Sequence, residues 1–193
     1  MIKAMPQDLL IRNFDPLHDT AALMMIDTSF TSDYVYEVAA TPNALRLYAK
    51  PVAPPRTKHY SMKIDEELWT KAYVAIEDDM ICGFMATQLN SWNRRMVIWH
   101  FYVDLPRRGR GIGRRMMDHA IESGRRLGAS HFWIETSNLN YPGIEAYRRL
   151  GYSLCGFDTA LYRDTPAEQE FAIYMARSLT GGRKRENGDA AAL

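Results

Sequence analysis

Cysteine is nearly missing: Cys82 and Cys155 are the only two in 193 residues, and they do not form a CxxC pair. Two are too few for a disulfide framework, and reduced thiols in a cytoplasmic protein are the plainest reading. Long apolar runs are missing as well. The longest, Ala21 to Ile26, falls far short of the ~18–20 residues that span a bilayer. Lys3, Pro6, Gln7 and Asp8 interrupt what would be the apolar core of a secretory leader. Charge of one sign is not in excess either. The 24 Lys and Arg against 23 Asp and Glu leave a formal net charge of +1, so no overall field draws the chain onto nucleic acid or anionic lipid. Five scattered histidines lack metal-ligand spacing, and no GxSxG elbow or internal repeat is present. What remains is 47% hydrophobic and 24% charged, an ordinary globular composition long enough for a self-sufficient core. We expect one domain over residues 1–179. The glycine- and arginine-rich stretch 180–193 has no apolar period and is expected to be a disordered tail.

Leu9 to Asn13 reads as a strand, followed by a helix with Asp15 and Pro16 at its N-cap and first position. Leu17, Ala21, Met24 and Met25 recur at helical spacing there. From Thr31 to Ser61 the prolines at 42, 51, 54 and 55 predict a long connection with short elements. Order returns with a hairpin, Lys71–Glu77 and Met80–Leu89 about an Asp78-Asp79 turn, then a strand over Met96–Val103. Next comes a helix whose apolar face is Ile112, Met116, Met117, Ala120, Ile121 and Leu127, stopped by Gly128. His131–Thr136 is a strand and Pro142–Leu150 a short helix. Two strands, near Leu154–Leu161 and Phe171–Met175, finish the chain. This order predicts a mixed α/β sheet, with both cysteines as small core residues.

The stretch Arg107-Arg108-Gly109-Arg110-Gly111-Ile112-Gly113-Arg114-Arg115 lies between a strand and a helix. Glycines let the backbone turn tightly and approach a ligand, and a helix N-terminus offers unpaired N–H groups to phosphate. Seven arginines between 107 and 126 face only Asp118 and Glu122, so positive charge is concentrated locally. It is not a P-loop, because no Gly-Lys-Ser/Thr follows, and GxGxG is not the dinucleotide GxGxxG. A plain helix-start turn with solvated arginines remains open. An RG-type RNA-binding segment is less consistent with the apolar helix face that follows.

Arg108 to Gly113, after a strand ending Tyr102-Val103, closely resembles the acetyl-CoA motif Arg/Gln-x-x-Gly-x-Gly/Ala of GNAT N-acetyltransferases. A second stretch, Glu135 to Asn140 and on through Tyr147 to Leu150-Gly151-Tyr152, resembles that family's acidic strand, Asn, Tyr-bearing helix and Leu-Gly-aromatic stop. The similarity covers roughly 69–177. Trp92-Asn93-Arg94, Gly156 to Tyr162 and Ala172 to Met175 resemble streptothricin acetyltransferases in particular. Trp99-His100 departs from the acidic residues those enzymes tend to carry on this strand.

The resemblance implies an acyl-CoA N-acyltransferase fold of mostly antiparallel strands with a central strand–helix–strand cofactor unit. It implies acetyl-CoA as co-substrate and a primary amine of a small cationic molecule as acceptor, with a protein amine or a non-catalytic acyl-CoA sensor as alternatives. Neither nucleic acid nor membrane is an expected partner, and a homodimer is left open. Phe101, Tyr102 and Val103 would offer backbone to the thioester, residues 108–113 would hold the pyrophosphate, and Asn140 the pantetheine amides, unless it only caps its helix. Glu135 would be the general base, directly or through a water, against the alternative of a structural ion pair. His100 is the reserve. Tyr147 would protonate the departing thiolate, unless it is only a packed aromatic. Among Asp33, Glu37, Asp65, Glu66, Glu67 and Asp158, the last is the favoured contact for a cationic acceptor.

Overall fold

The computed structural model describes residues 9–179, so the expected tail lies outside the described residues. The elements are β1 (Leu10–Asn13), α1 (Pro16–Leu23), β2 (Phe30–Thr41), β3 (Ala44–Lys58), β4 (Lys71–Glu77), β5 (Met80–Asn90), β6 (Arg95–Val103), α2 (Ile112–Arg126), β7 (His131–Ser137), α3 (Tyr141–Arg149), β8 (Ser153–Asp158) and β9 (Ala172–Ser178). Seven strands form one sheet in the order β1-β4-β5-β6-β7-β9-β8, and β2-β3 form a separate ribbon. Every neighbouring pair is antiparallel except β6 and β7, which α2 joins. This is the mixed sheet with a central strand–helix–strand unit that the sequence predicts.

Both faces of the sheet are covered, so its strands carry apolar residues on both sides. On one face Tyr73 and Ala75 of β4 meet α2, whose Ile112, Met116, Met117, Ala120 and Ile121 form a continuous buried stripe. The larger of these contribute about 1.5–3 kcal/mol each by burial. On the other face Val74 and Phe84 pack with Leu23, Ile26 and Met62. Leu127, expected on the α2 stripe, is 42% exposed because the helix has ended at Arg126 and Gly128 turns away at φ +83°.

Three elements differ from expectation. The connection over 31–61 is a long hairpin, β2 and β3, turning at Pro42-Asn43. β3 pairs on one side only, the edge setting in which a strand tolerates proline. Pro54 and Pro55 fall in the irregularity between Tyr34↔Pro51 and Ser32↔Arg56. In α1 the phase is different: Leu17, Met24 and Met25 are exposed, while Leu23 and Asp19 are buried. Asp19 is held by a two-pronged bond from Arg12, at 2.6 and 2.7 Å, and by the Asp15 amide. Finally, β8 stops at Asp158, so 159–171 is a loop. Cys82 is fully buried as expected, but Cys155 lies exposed on the edge strand β8, and neither forms a disulfide.

Candidate active site

The site arises where the parallel pair comes apart. β6 and β7 are in register from Arg95↔His131 to Ile98↔Ile134 and separate beyond that point. A bulge at Trp99, skipped between the Ile98↔Thr87 and His100↔Ala86 pairings, bends β6 there. From Trp99 to Val103 the β7-facing edge of β6 therefore has backbone groups with no strand partner. A cleft of about 670 Å³ fills the gap, within the usual range for small-molecule sites.

One end is the glycine turn. Gly109 and Gly111 sit at φ +77° and +86°, a left-handed conformation that disfavours side chains. The first intrahelical bond of α2 is Arg115 N–H to Gly111 C=O, which leaves the amides of 112–114 free to face a ligand. The arginines divide unexpectedly. Arg107 and Arg110 both pair with the buried Glu77, at 2.5 and 2.9 Å. Arg110, expected at the cofactor, turns away from the cleft and could offer only its backbone. Arg108 donates to the carbonyls of Val103, Ser29 and Asp27, tying the glycine turn to the segment after α1. Arg114 and Arg149 are the cations left at this end of the cleft.

The other end is acidic and aromatic. Glu135 of β7 and Tyr147 of α3 line the same cleft with Phe101, Tyr102, Val103, Gly113 and Asn140. Burial raises the Glu135 carboxyl above its ordinary value, against the opposing pull of a hydrogen bond from Tyr162 and the charge of Lys58. Tyr102 is pushed up to about 12 by burial. Tyr147, also raised by burial, stays protonated far above neutral pH. Asn140 caps α3: its Oδ1 accepts from the Gly143 amide at 3.0 Å and its Nδ2 donates to Thr136 Oγ1 at 2.9 Å. Both polar ends are thus engaged within the protein.

Two expectations do not survive. His100 is outside the cleft, among the rings of Trp69, Phe84 and Tyr102, where burial lowers its pKa and no partner reaches either ring nitrogen. Asp158 accepts from the Ala160 amide at 2.8 Å, capping a turn outside the cleft lining. The other acids are likewise elsewhere: Glu37 pairs with Lys50 and Tyr48 on the hairpin, and Asp65 caps a short 3₁₀ turn. The cleft wall also holds Thr28, Phe30, Lys58, Tyr60 and Ala167, which the sequence did not mark, and Tyr162, marked only within the streptothricin-like stretch 156–162. Among the described residues no group of three or more His, Cys, Asp or Glu could hold a metal, and no helix is long and apolar enough to cross a membrane.

The GNAT acetyltransferase family model matches residues 34–152, beginning well before the 69 that the motifs alone marked. The chain belongs to this family. It is an acetyl-CoA-dependent N-acetyltransferase. A streptothricin acetyltransferase of Streptomyces lavendulae is 38% identical over 82% of this chain and 89% of its own. An Escherichia coli streptothricin acetyltransferase is 28% identical over 72% and 80%. The crystal structure of a nourseothricin acetyltransferase is 39% identical, with a TM-score of 0.81 over 88% of this acetyltransferase and 98% of that chain.

Proposed function

We propose that this acetyltransferase moves the acetyl group of acetyl-CoA directly onto a primary amine of a streptothricin-like cation. In this reading Glu135 takes the amine proton and Tyr147 serves the leaving sulfur. Both curated relatives above carry the streptothricin acetyltransferase name. The two free thiols suit a cytoplasmic setting. The carrying observation is that one cleft joins a glycine-rich helix start to a desolvated carboxylate.

An alkyl ammonium has a pKa near ~10.4 and must lose a proton before it can attack. Glu135, desolvated and raised, is a stronger base than a carboxylate in water, and an arriving ammonium favours its ionised form. Backbone N–H groups on the open edge of Phe101–Val103 polarise the thioester carbonyl. The amides of 112–114 with Arg114 receive the pyrophosphate. Tyr147 donates a hydrogen bond to the sulfur as charge develops, and because burial raises its pKa it keeps its own proton, so the thiolate leaves stabilised and takes its proton from solvent. All of these groups come from one chain, so no second copy is required.

Tyr147→Phe removes one oxygen and keeps the ring. The chemical step is expected to slow ~10–10³-fold with acetyl-CoA affinity within severalfold. Acyl donors with more acidic thiols should show a smaller loss; equal loss across donors, with chemistry rate-limiting, removes Tyr147 from this role. The substrate is tested by kcat/KM across streptothricin, polyamines, aminoglycosides and N-terminal peptides. Streptothricin should lead by at least about tenfold, a difference of roughly 1.4 kcal/mol in transition-state binding. A peptide in first place would transfer the enzyme to the protein acetyltransferases.

A further inference from the structure

Of the thirteen residues between β8 and β9, the first twelve, 159–170, include only Tyr162, Ala167 and Glu170 that are not exposed. All three point to the same place. Tyr162 and Ala167 line the cleft, and Glu170 binds Lys58 and Ser137, which line it too. The loop is fixed at both ends: Asp158 caps the turn at Ala160, and Glu170 joins β7 to the end of β3. Within it Thr165 Oγ1 donates to the Tyr162 carbonyl at 2.6 Å, and Arg163 N–H closes a turn onto Ala160. An exposed loop with no apolar periodicity has thus been built to present one phenol, and that phenol donates to Oε1 of Glu135. Among the described residues no other side chain donates a hydrogen bond to this carboxylate.

We infer that Tyr162 is a positioning residue for the base: its O–H holds Oε1 of Glu135, fixing the carboxylate plane and leaving Oε2 as the atom that takes the amine proton. This rests on the reading of Glu135 as the base. A donor to a carboxylate stabilises its ionised form, so Tyr162 has a second effect, keeping Glu135 usable at lower pH than its desolvation alone would allow. The other groups facing Glu135 are Lys58 from β3, Tyr60 after it, Tyr102 from β6, Tyr147 from α3 and Tyr174 from β9. Lys58, the one cation among them, is itself bound to Glu170, and the phenols are uncharged at neutral pH.

The test is the pH dependence of kcat/KM for Tyr162→Phe, with streptothricin as acceptor. The acid limb should move to higher pH by about one unit, which is about a tenfold loss at a fixed pH on the limb, and recover toward the alkaline plateau. Acetyl-CoA affinity should be unchanged. An equal loss at every pH, with the limb in place and a lowered Tm, overturns the inference and leaves Tyr162 a structural residue. Should Tyr162→Phe not fold, Asp158→Ala loosens the turn that presents the phenol, and a smaller shift in the same direction is expected. No shift there overturns the inference equally. Glu135→Gln in parallel separates the two ideas. Loss of the limb in Glu135→Gln with an unmoved limb in Tyr162→Phe sinks only the role of Tyr162, whereas an unmoved limb in Glu135→Gln sinks the base itself.

Discussion

Glu135→Gln is expected to lower kcat at neutral pH by about 10²–10⁴ while leaving acetyl-CoA affinity within severalfold. Gln keeps the shape and can still accept from Tyr162, so what disappears is proton affinity. The same change should raise the melting temperature. Burial lifts the folded-state pKa of Glu135, so ionisation there opposes folding. That opposition is absent while the carboxyl is protonated in both states. It grows as pH rises from about 4.3, the ordinary glutamate value, and is complete above the folded-state pKa. The gap in Tm between Glu135→Gln and wild type should therefore open with rising pH and then stay constant. A Gln variant that is slower and no more stable at pH 8 would deny the desolvation on which the base argument depends.

Glu77→Ala should have the largest effect on stability. Glu77 is 2% exposed and carries both Arg107 and Arg110. Its removal leaves Arg107 partly buried with no buried carboxylate, holding only the residue 77 carbonyl at 3.2 Å, the Met80 sulfur at 3.7 Å and exposed Asp78 at 3.5 Å. Stripping one partner from a buried ion pair costs more than the pair contributes, here about 2–4 kcal/mol with allowance for the partial exposure of the arginines. Because these arginines brace the glycine turn from behind, acetyl-CoA binding should weaken together with the urea midpoint. A loss below about 1 kcal/mol with unchanged affinity would mean that the turn holds its shape without them.

The central unit was legible because it combines periods with punctuation. The α2 stripe, the glycines at 109, 111 and 113 and the Gly128 stop all act locally, and the turn needs left-handed backbone that little but glycine supplies. Glu135 and Tyr147 could be named because the stretch from Glu135 to Tyr152 resembles the family's acidic strand and Tyr-bearing helix. Elsewhere long-range partners decided the outcome. Arg12 buries Asp19 and so rotates α1 away from its apolar period. The one-sided pairing of β3 makes its three prolines tolerable, and the fourth, Pro42, sits in the turn, within what reads as a broken connection. The arginines of the motif looked like a phosphate clamp, yet Glu77, thirty residues before Arg107, claims two of them. Lys58 carries no local signal and Tyr162 none beyond its place in the streptothricin-like stretch 156–162, because they reach the cleft from a hairpin end and a loop that no periodicity describes.

Direct acetyl transfer onto streptothricin is tested most directly by following coenzyme A thiol release with that acceptor and weighing the product. It predicts thiol release in step with a mass gain of one acetyl group on the amine, saturable in both substrates. Saturable acetyl-CoA binding with no thiol release above the rate without acceptor, for streptothricin and every other amine, would contradict it and leave a protein that binds acetyl-CoA without transferring its acetyl group.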